Sequence, residues 1–139
     1  MRAVSKYLQQ QNLPALVSSL PSRYEESYMF FKVGRDQTKI FLKDIVFIEG
    51  LADYIKVHTK DKAYVASEKL RYVAEKLPED KFIRIHKSFI VAWDKLTSYN
   101  TDQVTLGDKT LPLGRFYKGA FLQKIQIGTI SLPVFKPNG

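Results

Sequence analysis

Three cations and a hydroxyl lie within five residues of one another in FIRIHKSFIVAWDKL, residues 82–96: Arg84, His86, Lys87 and Ser88. They are threaded through Phe82, Ile83, Ile85, Phe89, Ile90 and Val91, so the charged groups project from the end of an apolar ribbon and not from a polar tail. Cations held this way suit reading a polyanion at fixed geometry. The plainer reading is an ordinary strand whose outward face is basic. A second block, LPLGRFYK (residues 111–118), sets Arg115 after Gly114 where a strand passes into a helix. There a guanidinium can fork onto guanine O6 and N7 or onto a phosphate, or it can simply cap the helix start. Asp53 has the opposite charge: a carboxylate accepts from cytosine N4 and repels phosphate, or it holds its own loop as an Asx turn.

These groups need rigid elements behind them. From residue 29 the apolar period is mostly two, predicting strands at 29–33, 38–42, 45–49, 54–59 and 62–66, separated by turn signals at Gly34-Arg35-Asp36, Gly50 and Lys60-Asp61. In 54–59, Ile55, Val57 and Thr59 share one face, and Tyr54, Lys56 and His58 share the other. Ser67 offers an N-cap to a helix over 68–77, whose Leu70, Val73, Ala74 and Leu77 form one apolar stripe that Pro78 ends. Ile55, Val57 and this stripe are expected to face one core, with Lys56 and His58 outward. Strands resume at 82–85, 89–91, 96–99, 103–106 and 110–112, with tight turns at Asn100-Thr101-Asp102 and Gly107-Asp108. A last helix over 116–125 is expected to bury Phe121, Leu122 and Ile125. Glu49 is expected to close a turn by accepting backbone N–H bonds, and Trp93 to be a core or rim aromatic.

The predicted class is mainly β, a stack of small antiparallel sheets with one or two short helices. Three segments are expected: an N-terminal helix or linker over 1–28, the end of a preceding receiver domain; the β-domain over 29–125; and a C-terminal tail over 126–139.

The chain has 139 residues and a net charge of +8. Residues 29–80 carry ten Lys/Arg against nine Asp/Glu, whereas 81–124 carry eight against three, so the basic footprint coincides with the two motif blocks. There is no cysteine, which removes disulfides, thiol catalysis and zinc–thiolate sites and fits a reducing cytoplasm. No apolar run of membrane-spanning length is present, so no membrane partner is expected. His58 and His86 have no ligand partner at metal spacing, so neither metal nor cofactor is expected. No nucleophile–base pair or glycine-rich phosphate loop can be assembled, so an enzyme is not expected.

Taken together, DIVFIEGLADYIKVHTKDK (44–62), LRYVAEKLPEDKFIRIHKSFIV (70–91) and LPLGRFYKGAF (111–121) resemble the LytTR DNA-binding domain, the output module of LytR/AlgR-type bacterial response regulators. The matching features come in order: Glu49 after an apolar strand, Asp53-Tyr54, a strand ending in His58-Thr59, a helix closing on Leu77-Pro78, F-x-R-x-H-x-S and L-P-x-x-R. Ala92 and Gly114 depart from the Asn and Ser usual in that family. The resemblance implies loops inserted into successive major grooves, with Arg115, Lys87 and the Asp53 loop reading bases. At Lys87 the reach is to a guanine or only to a phosphate. Tyr54, Lys56, Arg84, His86, Ser88, Tyr117 and Lys118 become candidates for the DNA backbone, although Arg84 and His86 equally suit a hydrogen-bonded frame for the Lys87 turn.

The resemblance further implies double-stranded DNA with tandem repeat sites, a dimer on that DNA, and an upstream receiver domain addressed by a sensor kinase. Two other classes stay open. One is a basic signalling or protein-interaction module with an acidic partner. The other is an RNA-binding β-domain, which needs exposed aromatics on a sheet face; Tyr54 and Tyr64 are the ones that suggest themselves.

Overall fold

The computed structural model describes residues 24–128; residues 1–23 of the expected N-terminal helix or linker over 1–28, and residues 129–139 of the expected tail over 126–139, lie outside them. Among the described residues ten strands form three antiparallel sheets. A hairpin of β1 (Tyr28–Val33) and β2 (Asp36–Phe41) covers one face of a five-stranded sheet. That sheet contains β3 (Ile45–Leu51), β4 (Tyr54–Thr59), β5 (Ala63–Ala66), β6 (Phe82–His86) and β7 (Phe89–Ala92), in the order β5-β4-β3-β7-β6. A three-stranded sheet of β8 (Ser98–Tyr99), β9 (Gln103–Leu106) and β10 (Lys109–Pro112) covers the other. The described residues also include the α-helices α1 (Leu70–Lys76) and α2 (Lys118–Gly128).

The central sheet is buried on both faces: the expected core of Ile55, Val57, Leu70, Val73 and Leu77 forms on one, and a second core, not expected, lies on the other. Ile48, Ile55, Val57 and Ile90 face Phe31, Ile40, Leu70, Val73 and Leu77 in the first cluster. Phe47, Ile85 and Val91 face Val104, Leu111, Leu113 and Phe121 in the second. His58 is therefore not outward: its ring stacks on Phe47 at 4.0 Å, at the margin of the second core.

Ser67 does not cap α1. Its backbone N–H is already committed to the Lys32 carbonyl of β1 at 2.9 Å, so the chain stays extended to Lys69, which precedes the helix without a side-chain cap. At the other end α2 starts two residues later than expected and runs on to Gly128; Phe121 is buried as predicted, but Leu122 is exposed. The turn signals before β9 and β10 act as read. Asn100 Oδ1 accepts the N–H groups of Asp102 and Gln103 at 2.8 and 3.0 Å, and Gly107 takes the positive φ of +67° that its tight turn requires.

Candidate nucleic-acid interface

Antiparallel pairing brings the three predicted reading segments to one end of the central sheet. Glu49 of β3 pairs with Phe89 of β7, so the β3–β4 turn and the β6–β7 turn emerge side by side. Gly50 N–H donates to the Ser88 carbonyl at 2.8 Å, fastening one turn to the other. Gly114 N–H donates to the Ile85 carbonyl at 2.6 Å and docks the β10–α2 junction on the end of β6. Gly114 sits close: a Cβ there would meet Tyr117 Cδ2 at 3.2 Å and the His86 Cα at 3.4 Å. One hydrogen bond on each side of the β6–β7 turn thus fastens together the turns that carry Asp53 and Lys87 and the junction that carries Arg115 at one end of the sheet.

The β6–β7 turn is held from within. Arg84 donates from Nε to the His86 carbonyl at 3.3 Å and from Nη2 to the Lys87 carbonyl, and its guanidinium lies 5.6 Å from the Tyr117 ring. Ser88 N–H donates to His86 Nδ1 at 3.0 Å, which leaves the neutral ring with its proton on Nε2. A bulge between Arg84 and His86 ends the strict alternation of β6, and the His86 ring lies beside Phe89, at 5.6 Å. Arg84 and His86 are therefore frame residues for the Lys87 turn, whatever else they touch; the Lys87 side chain itself is exposed.

At the β3–β4 turn Asp53 makes no Asx turn. Its carboxylate, 80% exposed, pairs with Lys69 Nζ at 3.2 Å across the start of α1, a solvated pair that holds the loop weakly and is easily exchanged for another donor. Ala52 beside it takes a left-handed φ of +63°, which costs a side-chain-bearing residue roughly 1–2 kcal/mol. Ala52→Gly should therefore raise unfolding stability by about 0.5–1 kcal/mol in urea melts, after the added chain entropy of glycine is deducted; a loss of stability would show the turn to be unstrained.

Arg115 is exposed, its guanidinium 6.0 Å from the ring of Phe116, which is itself 91% exposed. Phe116 lies outside the final helix that the sequence predicts for it and stands in the junction, exposed. An apolar residue following L-P-L-G-R, outside any apolar period, is the signal that could have marked it. Tyr117 and Lys118 are half-buried where α2 begins, Tyr54 is exposed at the start of β4, and Lys56 is half-buried opposite Glu49. The RNA-type expectation about exposed aromatics also changes: Tyr64 is half-buried against the first core, whereas Tyr28 and Phe30 are exposed on the outer face of the β1–β2 hairpin.

Glu49 closes no turn. Its Oε1 meets His58 Nε2 at 3.3 Å, a diagonal pair across β3 and β4. Burial pushes the His58 imidazole below its ordinary 6.5, outweighing the Glu49 hydrogen bond and charge that pull it upward; Lys56 and Lys109 add to the depression. A folded-state pKa below the unfolded one means that the folded chain binds fewer protons, so this contribution is intact above about pH 6.5 and is lost as pH falls through the lower folded value. Melting temperature should accordingly decline between about pH 7 and pH 5, and less so in His58→Gln. A melting temperature that rises on acidification over that window would contradict the placement of His58.

Comparison with known proteins matches this architecture. The family model described as the LytTr DNA-binding domain matches residues 35–126, about two thirds of the chain. The chain is 36% identical over 59 residues to the sensory transduction protein LytT of Bacillus subtilis (strain 168), an alignment covering 42% of this chain and 24% of LytT. The matched region thus spans about a quarter of the length of that relative. Among solved structures, the LytTr DNA-binding domain of a methyl-accepting/DNA response regulator from Bacillus cereus superposes with a TM-score of 0.63, at 18% identity, over 72% of this chain and 97% of that one. Among the described residues, no helix is long and apolar enough to cross a membrane.

Proposed function

Because the chain belongs to the LytTr DNA-binding domain family, we propose that it is a sequence-specific transcription regulator that reads double-stranded DNA in the major groove from the joined loop end of its central sheet. The observation that carries this reading is the pair of hydrogen bonds, Gly50 to Ser88 and Gly114 to Ile85, that makes one surface of three loops. Loops so fastened present side chains to base edges with little ordering left to lose on binding. Arg115 forks onto a guanine edge, Lys87 reaches a guanine or a neighbouring phosphate, and Asp53 leaves Lys69 to accept from cytosine N4. Phe116 adds an apolar contact for a thymine methyl.

Around them Tyr54, Lys56, Ser88, Tyr117 and Lys118 take phosphates, as does His86 through Nε2–H. The start of α2, the positive end of a helix dipole, favours anions beside Lys118. Arg84 acts chiefly by fixing the Lys87 turn. Two protomers occupy tandem repeats, and the domain serves as the cytoplasmic output of a two-component response regulator whose receiver answers to a sensor kinase. The similarity to a protein named for sensory transduction supports that placement.

Selection of bound sequences from a random duplex pool tests the proposal. Enrichment of two short repeats about one helical turn apart is expected. Equal retention of unrelated duplexes and other acidic polymers would return the basic module with an acidic partner. Lys118→Ala should weaken binding to every duplex alike and lower the salt slope by about one; a sequence-dependent loss in titrations at several salt concentrations would make Lys118 a base reader instead.

A further inference from the structure

From Nε and Nη2 the Arg84 guanidinium holds the His86 and Lys87 carbonyls, both along one edge. A planar group held along one edge still has its plane free to turn about that edge. The Tyr117 ring closes over it: the ring centroid lies 5.6 Å from the guanidinium carbon, within the roughly 6 Å at which a ring face attracts a cation. The same ring is seated on the β10–α2 junction. Gly114 offers it bare backbone, since a Cβ there would come to 3.2 Å from Tyr117 Cδ2, and the Tyr117 N–H donates to the Gly114 carbonyl at 3.0 Å. Both Tyr117 and Arg84 are half-buried. One aromatic ring thus touches the residue that holds the Lys87 turn and the backbone next to Arg115. The Gly114 hydrogen bond fastens the junction to Ile85, two residues short of Lys87; the contact between Tyr117 and Arg84 carries the fastening on to the Lys87 carbonyl itself.

We propose that Tyr117 is a positioning residue: through Arg84 its ring fixes the Lys87 turn relative to Arg115, so that the two cations meet DNA at a set separation. The inference rests on the proposed reading of DNA for its use, and on the free protein for its geometry. The hydroxyl that makes Tyr117 a phosphate candidate takes no part in it. A phenyl ring suffices, whereas an aliphatic side chain has no negative face to offer the guanidinium.

Two arms test it, with Tyr117→Leu and Tyr117→Phe in the 15N-labelled chain; Tyr117→Met replaces Tyr117→Leu should the latter not give the amide spectrum of a folded protein. Without DNA, Tyr117→Leu should shift the Lys87 and Ser88 amides and speed solvent exchange of the Arg84 Nε–H about tenfold, whereas Tyr117→Phe should keep all three near the parent. On the duplex recovered by selection, Lys87→Ala should weaken binding about tenfold in the parent and in Tyr117→Phe, and about twofold or less in Tyr117→Leu, where Lys87 is no longer held in place. A Lys87 turn unmoved in Tyr117→Leu, a Tyr117→Phe chain that behaves as Tyr117→Leu does, or a Lys87→Ala loss that is the same in all three backgrounds would each overturn the proposal. A parent chain that prefers no duplex would remove the DNA reading instead, and the arm without DNA would still decide the role of the ring.

Discussion

Phe121→Ala is expected to cost the domain about 3–5 kcal/mol of unfolding free energy, a large share of the roughly 5–15 kcal/mol that holds a domain of this size. Phe121 of α2 is wholly buried, and it packs edge-on against Trp93 at 5.9 Å and Tyr99 at 5.3 Å. Its backbone N–H continues the junction by donating to the Tyr117 carbonyl at 3.1 Å. Truncation therefore leaves a cavity in the second core and loosens the helix that carries Tyr117 and Lys118. Urea denaturation gives the number; a loss under about 1 kcal/mol would mean that α2 is not anchored there.

Arg115→Ala is expected to show a different signature. If the guanidinium forks onto a guanine edge, truncation costs roughly 1–3 kcal/mol on the preferred duplex and flattens discrimination at one base position, with stability unchanged. The exposure of Arg115 and its position beside the Lys87 turn motivate the expectation. Titration against the preferred duplex and its single-base variants decides. A loss that is equal on all duplexes would reduce Arg115 to a phosphate contact, and no loss would remove it from the interface.

Much of this architecture was legible beforehand because strand alternation and the helix stripe are local signals. Ile55 and Val57, and Leu70, Val73 and Leu77, fall inside as their spacing predicts. The second core was not legible, because a period of two says that His58 and Val57 face opposite ways and not that both faces are covered. The partners of Glu49 and Asp53 were hidden for a related reason. Glu49 finds His58 only once the register of β3 and β4 is known, and Asp53 finds Lys69 sixteen residues away. Ser67 looked like a cap because its side chain suits one; the competing claim on its backbone by β1 is a tertiary fact. The candidate reading residues were suggested by resemblance, but that the loops carrying them lie together at one end of the sheet follows from Gly50 and Gly114, whose N–H groups tie the three loops.

DNA is expected to meet the end of the central sheet where these three loops lie. Titrating the 15N-labelled chain with the duplex recovered by selection maps it residue by residue. Amide shifts concentrated in residues 50–54, 86–89 and 113–118, with the opposite end around Lys60, Lys95 and Lys109 unmoved, are the predicted result. Shifts centred on that opposite end or on the outer face of the β1–β2 hairpin, with the three loops silent, would contradict it.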